Sequence, residues 1–247
     1  MPIKFVSIHG THNKLDIALF QDQDCLDSIT KLDTRASSSL LPFLDSLLKK
    51  HNLSLTDLSF IAVDKGPGAF TSLRVTIATV NGIAFNNKIS LIGINGLEAL
   101  TREAIASAPK NLIPQDSGIQ NIVTLLNAYN NDAYFLVSKT NTQIISDPTQ
   151  TFQNQGCQNI DILLDGIKLR FKDQKILFCG QGSQLYKTNI EHMFATQAII
   201  LDEPLLASAK TIGQMGYECW LKKENIENQI TPLYLKTQYF AIRKCVK

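Results

Sequence analysis

Asp64-Lys65-Gly66-Pro67-Gly68 runs directly into Ala69-Phe70-Thr71-Ser72-Leu73-Arg74, and this is the stretch whose residue types could do chemistry. Glycine can take the positive φ of a tight turn, and Pro67 fixes its own φ. An apolar run from Leu58 to Val63 leads in, with the β-branched and aromatic content of a buried strand. Thr71 or Ser72 can cap the helix that follows. A helix N-terminus behind a glycine turn offers unpaired N–H groups to a phosphate. The segment is neither a P-loop, lacking Gly-Lys-Ser/Thr, nor Gly-x-Gly-x-x-Gly, so the commoner reading is a strand-to-helix turn and nothing more.

Other candidate groups are sparse. His9 and His12 lie three apart in a turn, and His51 and His192 are remote in sequence. A metal needs a third ligand in suitable geometry, so solvated turn histidines are the expectation. Asp16 and Asp64 could meet at the ends of adjacent strands as paired carboxylates, although ordinary strand-end acids are commoner. There is no His-Glu-x-x-His, no Gly-x-Ser-x-Gly and no Ser/His/Asp spacing that stands out. Lys222, Lys223, Lys236, Arg243, Lys244 and Lys247 make the C-terminal region basic. Such a region could touch nucleic-acid phosphates or an acidic partner, but a solvated tail is the usual outcome.

The elements that must hold these residues follow from periodicity. Lys4–Ile8, Leu15–Phe20 and Cys25–Leu32 read as a meander of three strands. A helix follows, started by Ser37-Ser38-Ser39, with Pro42 in its first turn and Leu40, Phe43, Leu44, Leu47 and Leu48 as its apolar face. After the Leu58 strand comes a helix from the glycine turn to about Phe85, then a strand, Ile89–Ile94, and a helix, Leu97–Ala108. A similar order begins again past Gly118: a hairpin of 121–127 and 132–138, a weaker strand at Ile144-Ile145, a helix at 160–169, strands at 175–178 and 198–201, and a long helix at 207–222. Meanders followed by alternating helices and strands, twice, describe an α/β protein of two similar subdomains.

The helix behind the glycine turn has two apolar stripes. Phe70, Leu73, Ile77, Val80 and Ala84 form one; Val75, Ala78, Gly82 and Phe85 form the other. A surface helix needs only one such stripe. One stripe therefore packs on its own sheet and the other meets a further layer or another protein, and the small residues favour Ala78 and Gly82 as the close-approach side.

Composition excludes several classes. With 44% hydrophobic and 19% charged residues the chain is an ordinary globular protein, and a net charge of +2 does not announce a nucleic-acid binder. Five cysteines, odd in number and without Cys-x-x-Cys, point to reduced thiols and not to disulfides or zinc. No signal-peptide core or membrane-spanning run is present, so a cytoplasmic protein is expected.

Gly66-Pro67-Gly68-Ala69-Phe70-Thr71-Ser72-Leu73-Arg74 resembles the Gly-Pro-Gly-Ser-Phe-Thr-Gly-Leu-Arg signature of the TsaB family. Leu40-Leu41-Pro42 and Pro232-Leu233-Tyr234-Leu235 are similar to two further family segments. The resemblance is strong over residues 1–105, weak over 106–205, and returns at the end. It implies an actin-like (ASKHA, ribonuclease H-like) duplicated fold, with subdomains at 1–108 and 109–206 and the stretch 207–247 packing back on the first. It implies a non-catalytic subunit in the threonylcarbamoylation of tRNA adenosine next to the anticodon. Its partners would be a TsaD-like catalytic subunit and a TsaE-like ATPase, with tRNA reached through the complex and a homodimer possible in isolation. Helices of the first subdomain make the family's dimer contact. Together with the two stripes, this assigns Leu73, Val75, Ala78, Thr79, Gly82 and Phe85 to a partner interface. Gly66, Pro67, Gly68, Phe70, Thr71 and Arg74 form a structural motif. No catalytic, metal or cofactor residue is assigned. The family's usual Ile-Asp-Thr-Ser stands here as Ile8-His9-Gly10-Thr11, its Asp-Ala-Arg as Asn127-Ala128-Tyr129, and a histidine as Ala36. Each change removes a charge or a ligand and weighs against nucleotide binding, and His9 is a poor magnesium ligand. The alternative is an active ATP-dependent transferase or kinase of the same fold.

Overall fold

The chain begins with three antiparallel strands, β1 (Lys4–Thr11), β2 (Lys14–Gln21) and β3 (Asp24–Leu32). The computed structural model describes residues 2–34, 36–109, 119–139 and 154–236. The expected strand at Ile144-Ile145 and the basic residues Arg243, Lys244 and Lys247 lie outside that set. β1 and β2 are buried on both faces, whereas β3 alternates and then opens to solvent, as an edge strand does. Next come α1 (Ala36–Lys50), β4 (Phe60–Asp64), α2 (Phe70–Asn87), β5 (Ser90–Ile94) and α3 (Gly96–Ser107). β4 lies parallel to both β1 and β5.

The second half repeats the plan. β6 (Ile119–Asn127), β7 (Asp132–Lys139) and β8 (Gln155–Asn159) form the meander. Then follow α4 (Ile160–Phe171), β9 (Lys175–Cys179), the short helices α5 (Gln181–Leu185) and α6 (Lys187–Phe194), β10 (Ala198–Ile200) and α7 (Ala209–Lys222). A two-residue strand, β11 (Ile226–Glu227), closes on β5. The sheets run β11-β5-β4-β1-β2-β3 and β10-β9-β6-β7-β8. Without β11 the two orders are the same, and so is the pattern of parallel and antiparallel neighbours.

Two cores flank the first sheet. On one side Leu40, Leu44 and Leu47 of α1 and Leu73, Ile77 and Val80 of α2 cover Val6, Ile8, Ile61 and Val63. On the other, α3 and α7 cover Phe5, Phe20, Phe60 and Ile92. Phe5 stacks between Phe20 and Phe60 at centroid distances of 4.8 and 4.2 Å, and Tyr217 and Trp220 of α7 extend the stack. Ala209, at the start of α7, accepts a hydrogen bond from Ser7 Oγ (2.6 Å) on its carbonyl. α3 in turn packs on β6 and β7, so the last helix of each half lies against the sheet of the other.

Three sequence expectations about these elements need correction. Pro42 sits in the interior of α1, because the helix starts at Ala36, six residues before it. Thr71 and Ser72 do not cap α2: the cap position is Ala69, whose N–H is taken by Thr11 Oγ1 of β1 at 2.9 Å. Leu73, assigned to the partner face, is 2% exposed and belongs to the core. The strand β8, with the polar sequence QGCQN, carries no strand signal of its own; pairing with β7 and not propensity makes it.

Candidate functional site

The ends of β1, β2 and β4 bring three ionisable residues to one level. His9 and Asp16 are Cα partners across β1 and β2. Ile8 pairs with Val63, which sets Asp64 beside His9 on the next strand. His9 Nδ1 lies 2.8 Å from Asp64 Oδ2, and both side chains are 2% exposed. The other oxygen of Asp64 accepts the Gly66 N–H at 2.8 Å. Asp16 accepts from Thr30 Oγ1 (2.8 Å) and from the Ala209 N–H (2.9 Å), with Lys14 Nζ at 3.4 Å. Asp16 and Asp64 thus flank His9 without sharing a partner, and each carboxylate is committed to its own donors. Among the described residues no cluster of three or more His, Cys, Asp or Glu could hold a metal ion.

The turn histidines are not solvated, contrary to the sequence expectation. His9 is buried; its Nδ1 approaches Asp64 without hydrogen-bond alignment, and its Nε2 has no partner among the described residues. The Nε2 of His12 is also closed off from solvent. Burial, and then the neighbouring His9, push the His12 pKa down to about 4, against the opposing pull of the Asn127 backbone and Asp64. His12 is therefore neutral at physiological pH.

The glycine turn is equally closed. Gly66 has φ +100°, which a side chain rarely adopts, and a Cβ there would also meet Leu73 Cδ2 at 2.7 Å. A Cβ on Gly68 would run into the Thr11 hydroxyl that holds the Ala69 N–H. The N–H groups of Gly66 and Ala69 are thus taken by Asp64 and Thr11 and are closed to a phosphate.

The residues after the turn meet the far end of the chain. Arg74 Nε donates to Tyr234 Oη at 2.6 Å, and the guanidinium carbon stands 3.7 Å from the centroid of the Phe70 ring. Leu233 N–H donates to Lys65 O at 2.7 Å. Asn81 grips Ile230 by both backbone groups, each at 2.9 Å. Lys236 reaches the β6–β7 turn, bonding Ala128 O at 2.8 Å, Tyr129 O at 3.2 Å and Asp132 Oδ2 at 2.8 Å. It is tied down and not part of a solvated tail. The two family-like segments, 66–74 and 232–235, are thus one contact. Sequence reading missed Thr11, Asn81 and Tyr234 as partners; the signal was the joint presence of the two segments.

The outer face of α2 is open. Ala78, Gly82 and Phe85 are exposed, Phe85 to 88%, and Val75 and Thr79 are half-buried. A Cβ on Gly82 would meet nothing within 4 Å. Phe70, Thr71 and Arg74 continue the exposed face toward the N-terminus of the helix, and Leu41 of α1, 55% exposed, lies on the neighbouring helix. Of the predicted residues, Gly66, Pro67 and Gly68 are buried.

Two sheets of the same order, each covered by helices and exchanging their last ones, define an actin-like fold. A family model described as TsaD, tRNA N6-adenosine threonylcarbamoyltransferase, matches residues 31–242. The TsaB protein of Bacillus subtilis is 28% identical over 199 residues, covering 79% of this chain and 78% of that protein. That of Haemophilus influenzae is 29% identical over 206 residues, covering 81% and 79%. The chain belongs to the TsaB family within this TsaD-like group. The solved structure of YeaZ from Pseudomonas aeruginosa has the same fold, with a TM-score of 0.73 at 19% identity over 94% of this chain and all of that one. No helix among the described residues is long and apolar enough to cross a membrane.

Proposed function

We propose that this protein is a non-catalytic subunit in the threonylcarbamoylation of tRNA adenosine next to the anticodon. It docks a TsaD-like catalytic subunit on the outer face of α2, through Val75, Ala78, Thr79, Gly82 and Phe85, and works beside a TsaE-like ATPase. tRNA meets it through that complex. The observation that carries the reading is the α2 face itself: Phe85 is 88% exposed beside a glycine with open space over it. Apolar side chains exposed singly are ordinary, but here Phe70 and Phe85 stand exposed along one helix face with the small residues Ala78 and Gly82 between them, and a contiguous face of this kind is what a protein interface offers.

The closed turn supports the non-catalytic half of the reading. His9 stands where the resemblance expects an acid, buried within 2.8 Å of Asp64. The N–H groups of the turn are engaged from within. Both buried carboxylates are thus engaged by donors of the fold, and two of the turn's amides are closed to a phosphate.

Affinity purification from the native host with mass identification of partners tests the reading. A TsaD-family protein should be recovered with the wild-type chain and lost with Ala78→Glu. Recovery of neither, or equal recovery with both, would remove the assignment of this face.

A further inference from the structure

The exposed ridge of α2, Phe70, Arg74, Ala78 and Gly82, runs at i, i+4 spacing and ends beside Phe85. Arg74 is the one charged residue in this 18-residue helix. Exposed arginines are ordinarily mobile; this one is held on three sides. Tyr234 Oη accepts from its Nε at 2.6 Å, the Phe70 ring lies 3.7 Å from its guanidinium carbon, and the Tyr234 ring lies at 5.4 Å. Its two terminal nitrogens have no partner among the described residues.

We infer, building on the assignment of this face to a protein partner, that Arg74 is a prearranged anchor for a carboxylate on a helix of that partner. A guanidinium presents its terminal N–H groups as a planar fork that a carboxylate matches with two parallel hydrogen bonds. Ordering a long side chain at an interface costs conformational entropy, and here the fold has already ordered it. Arginine beside aromatic rings is also the composition of interface residues whose loss is felt most. Charge complementarity selects the occupant. The only acid on α1 or α2 is Asp45, and Lys49 already holds it at 2.8 Å. A second copy of this chain, packed helix to helix, brings only this one carboxylate, already shared with a lysine, so a different protein is the better-matched occupant.

Titration of the purified chain against the TsaD-family subunit of the same organism, at two salt concentrations, tests this. Arg74→Gln should weaken Kd by about tenfold or more and flatten its salt dependence. Arg74→Lys, which keeps the charge without the fork, should restore little. Tyr234→Phe, which frees Nε while leaving the ring, should fall between. Thermal unfolding of each variant should match the wild type, because Arg74 is exposed. Wild-type affinity in Arg74→Gln would overturn the anchor. If Ala78→Glu abolishes binding while Arg74→Gln does not, the face stands and the anchor falls; if neither matters, both fall. Unchanged partner affinity with weaker tRNA binding to the assembled complex would make Arg74 a phosphate contact and also overturn the inference.

Discussion

His9 Nδ1 and Asp64 Oδ2 lie 2.8 Å apart, each on a side chain 2% exposed, at the neighbouring ends of two parallel strands. Asp16 stands on the other side of His9. The histidine separates two buried carboxylates, and replacing it with an acid would place three at one level. His9→Asp should therefore destabilise the fold by about 3 kcal/mol, the scale of an uncompensated buried charge. Urea unfolding at neutral pH measures it. Unchanged stability would mean that the pair does not matter.

The same arrangement bears on nucleotide. Saturating Mg-ATP should not raise the unfolding midpoint of the isolated protein, because the Gly66 and Ala69 amides and the Asp16 and Asp64 carboxylates are engaged by the fold itself. A thermal shift assay with and without Mg-ATP checks this. A rise that grows with ATP concentration would favour the active-enzyme alternative.

His12 sets a pH dependence. Its folded pKa, about 4, lies below the usual 6.5, so the unfolded chain binds the proton more readily. Its contribution to stability is complete above about pH 6.5, declines as pH falls toward 4, and is constant below that. The loss across the window is on the order of 3 kcal/mol. Urea unfolding of the wild type and of His12→Gln between pH 7 and 4.5 isolates it. The wild type should lose stability relative to the variant as pH drops, and parallel curves would contradict the assignment.

Gly82 separates fold from interface. It lies within α2 with nothing facing its missing side chain. Gly82→Ala should raise monomer stability by about 0.5–1 kcal/mol, since alanine is the better helix former. Gly82→Glu should leave the monomer folded, yet weaken partner binding by about a hundredfold or more through a charge buried in the contact. Circular dichroism melts and binding titrations read the two effects separately.

The repeated order of strands was legible because β1, β2, β4 and β6 are short apolar runs bounded by turn residues. The second stripe of α2 was legible too, but not which side faced water. That depended on α1 and the sheet, which take Leu73, Ile77 and Val80 and leave Ala78 and Gly82 outside. β8 was illegible because its residues have no strand preference of their own and are held by the register with β7. The burial of His9 and the half-burial of His12 were hidden for a related reason. A turn of polar residues reads as solvated until strands distant in sequence close over it. The link from Arg74 to Tyr234 spans 160 residues, beyond the reach of any local pattern.

The central claim is that tRNA modification depends on this protein through the open face of α2. The most direct test is the level of threonylcarbamoyladenosine in host tRNA, measured by mass spectrometry. The chromosomal copy would be depleted and replaced by either the wild type or Ala78→Glu at equal abundance. The account predicts that depletion lowers the nucleoside in tRNAs reading codons that begin with A, that the wild type restores it, and that Ala78→Glu does not. An unchanged level on depletion, or full restoration by Ala78→Glu, would contradict it.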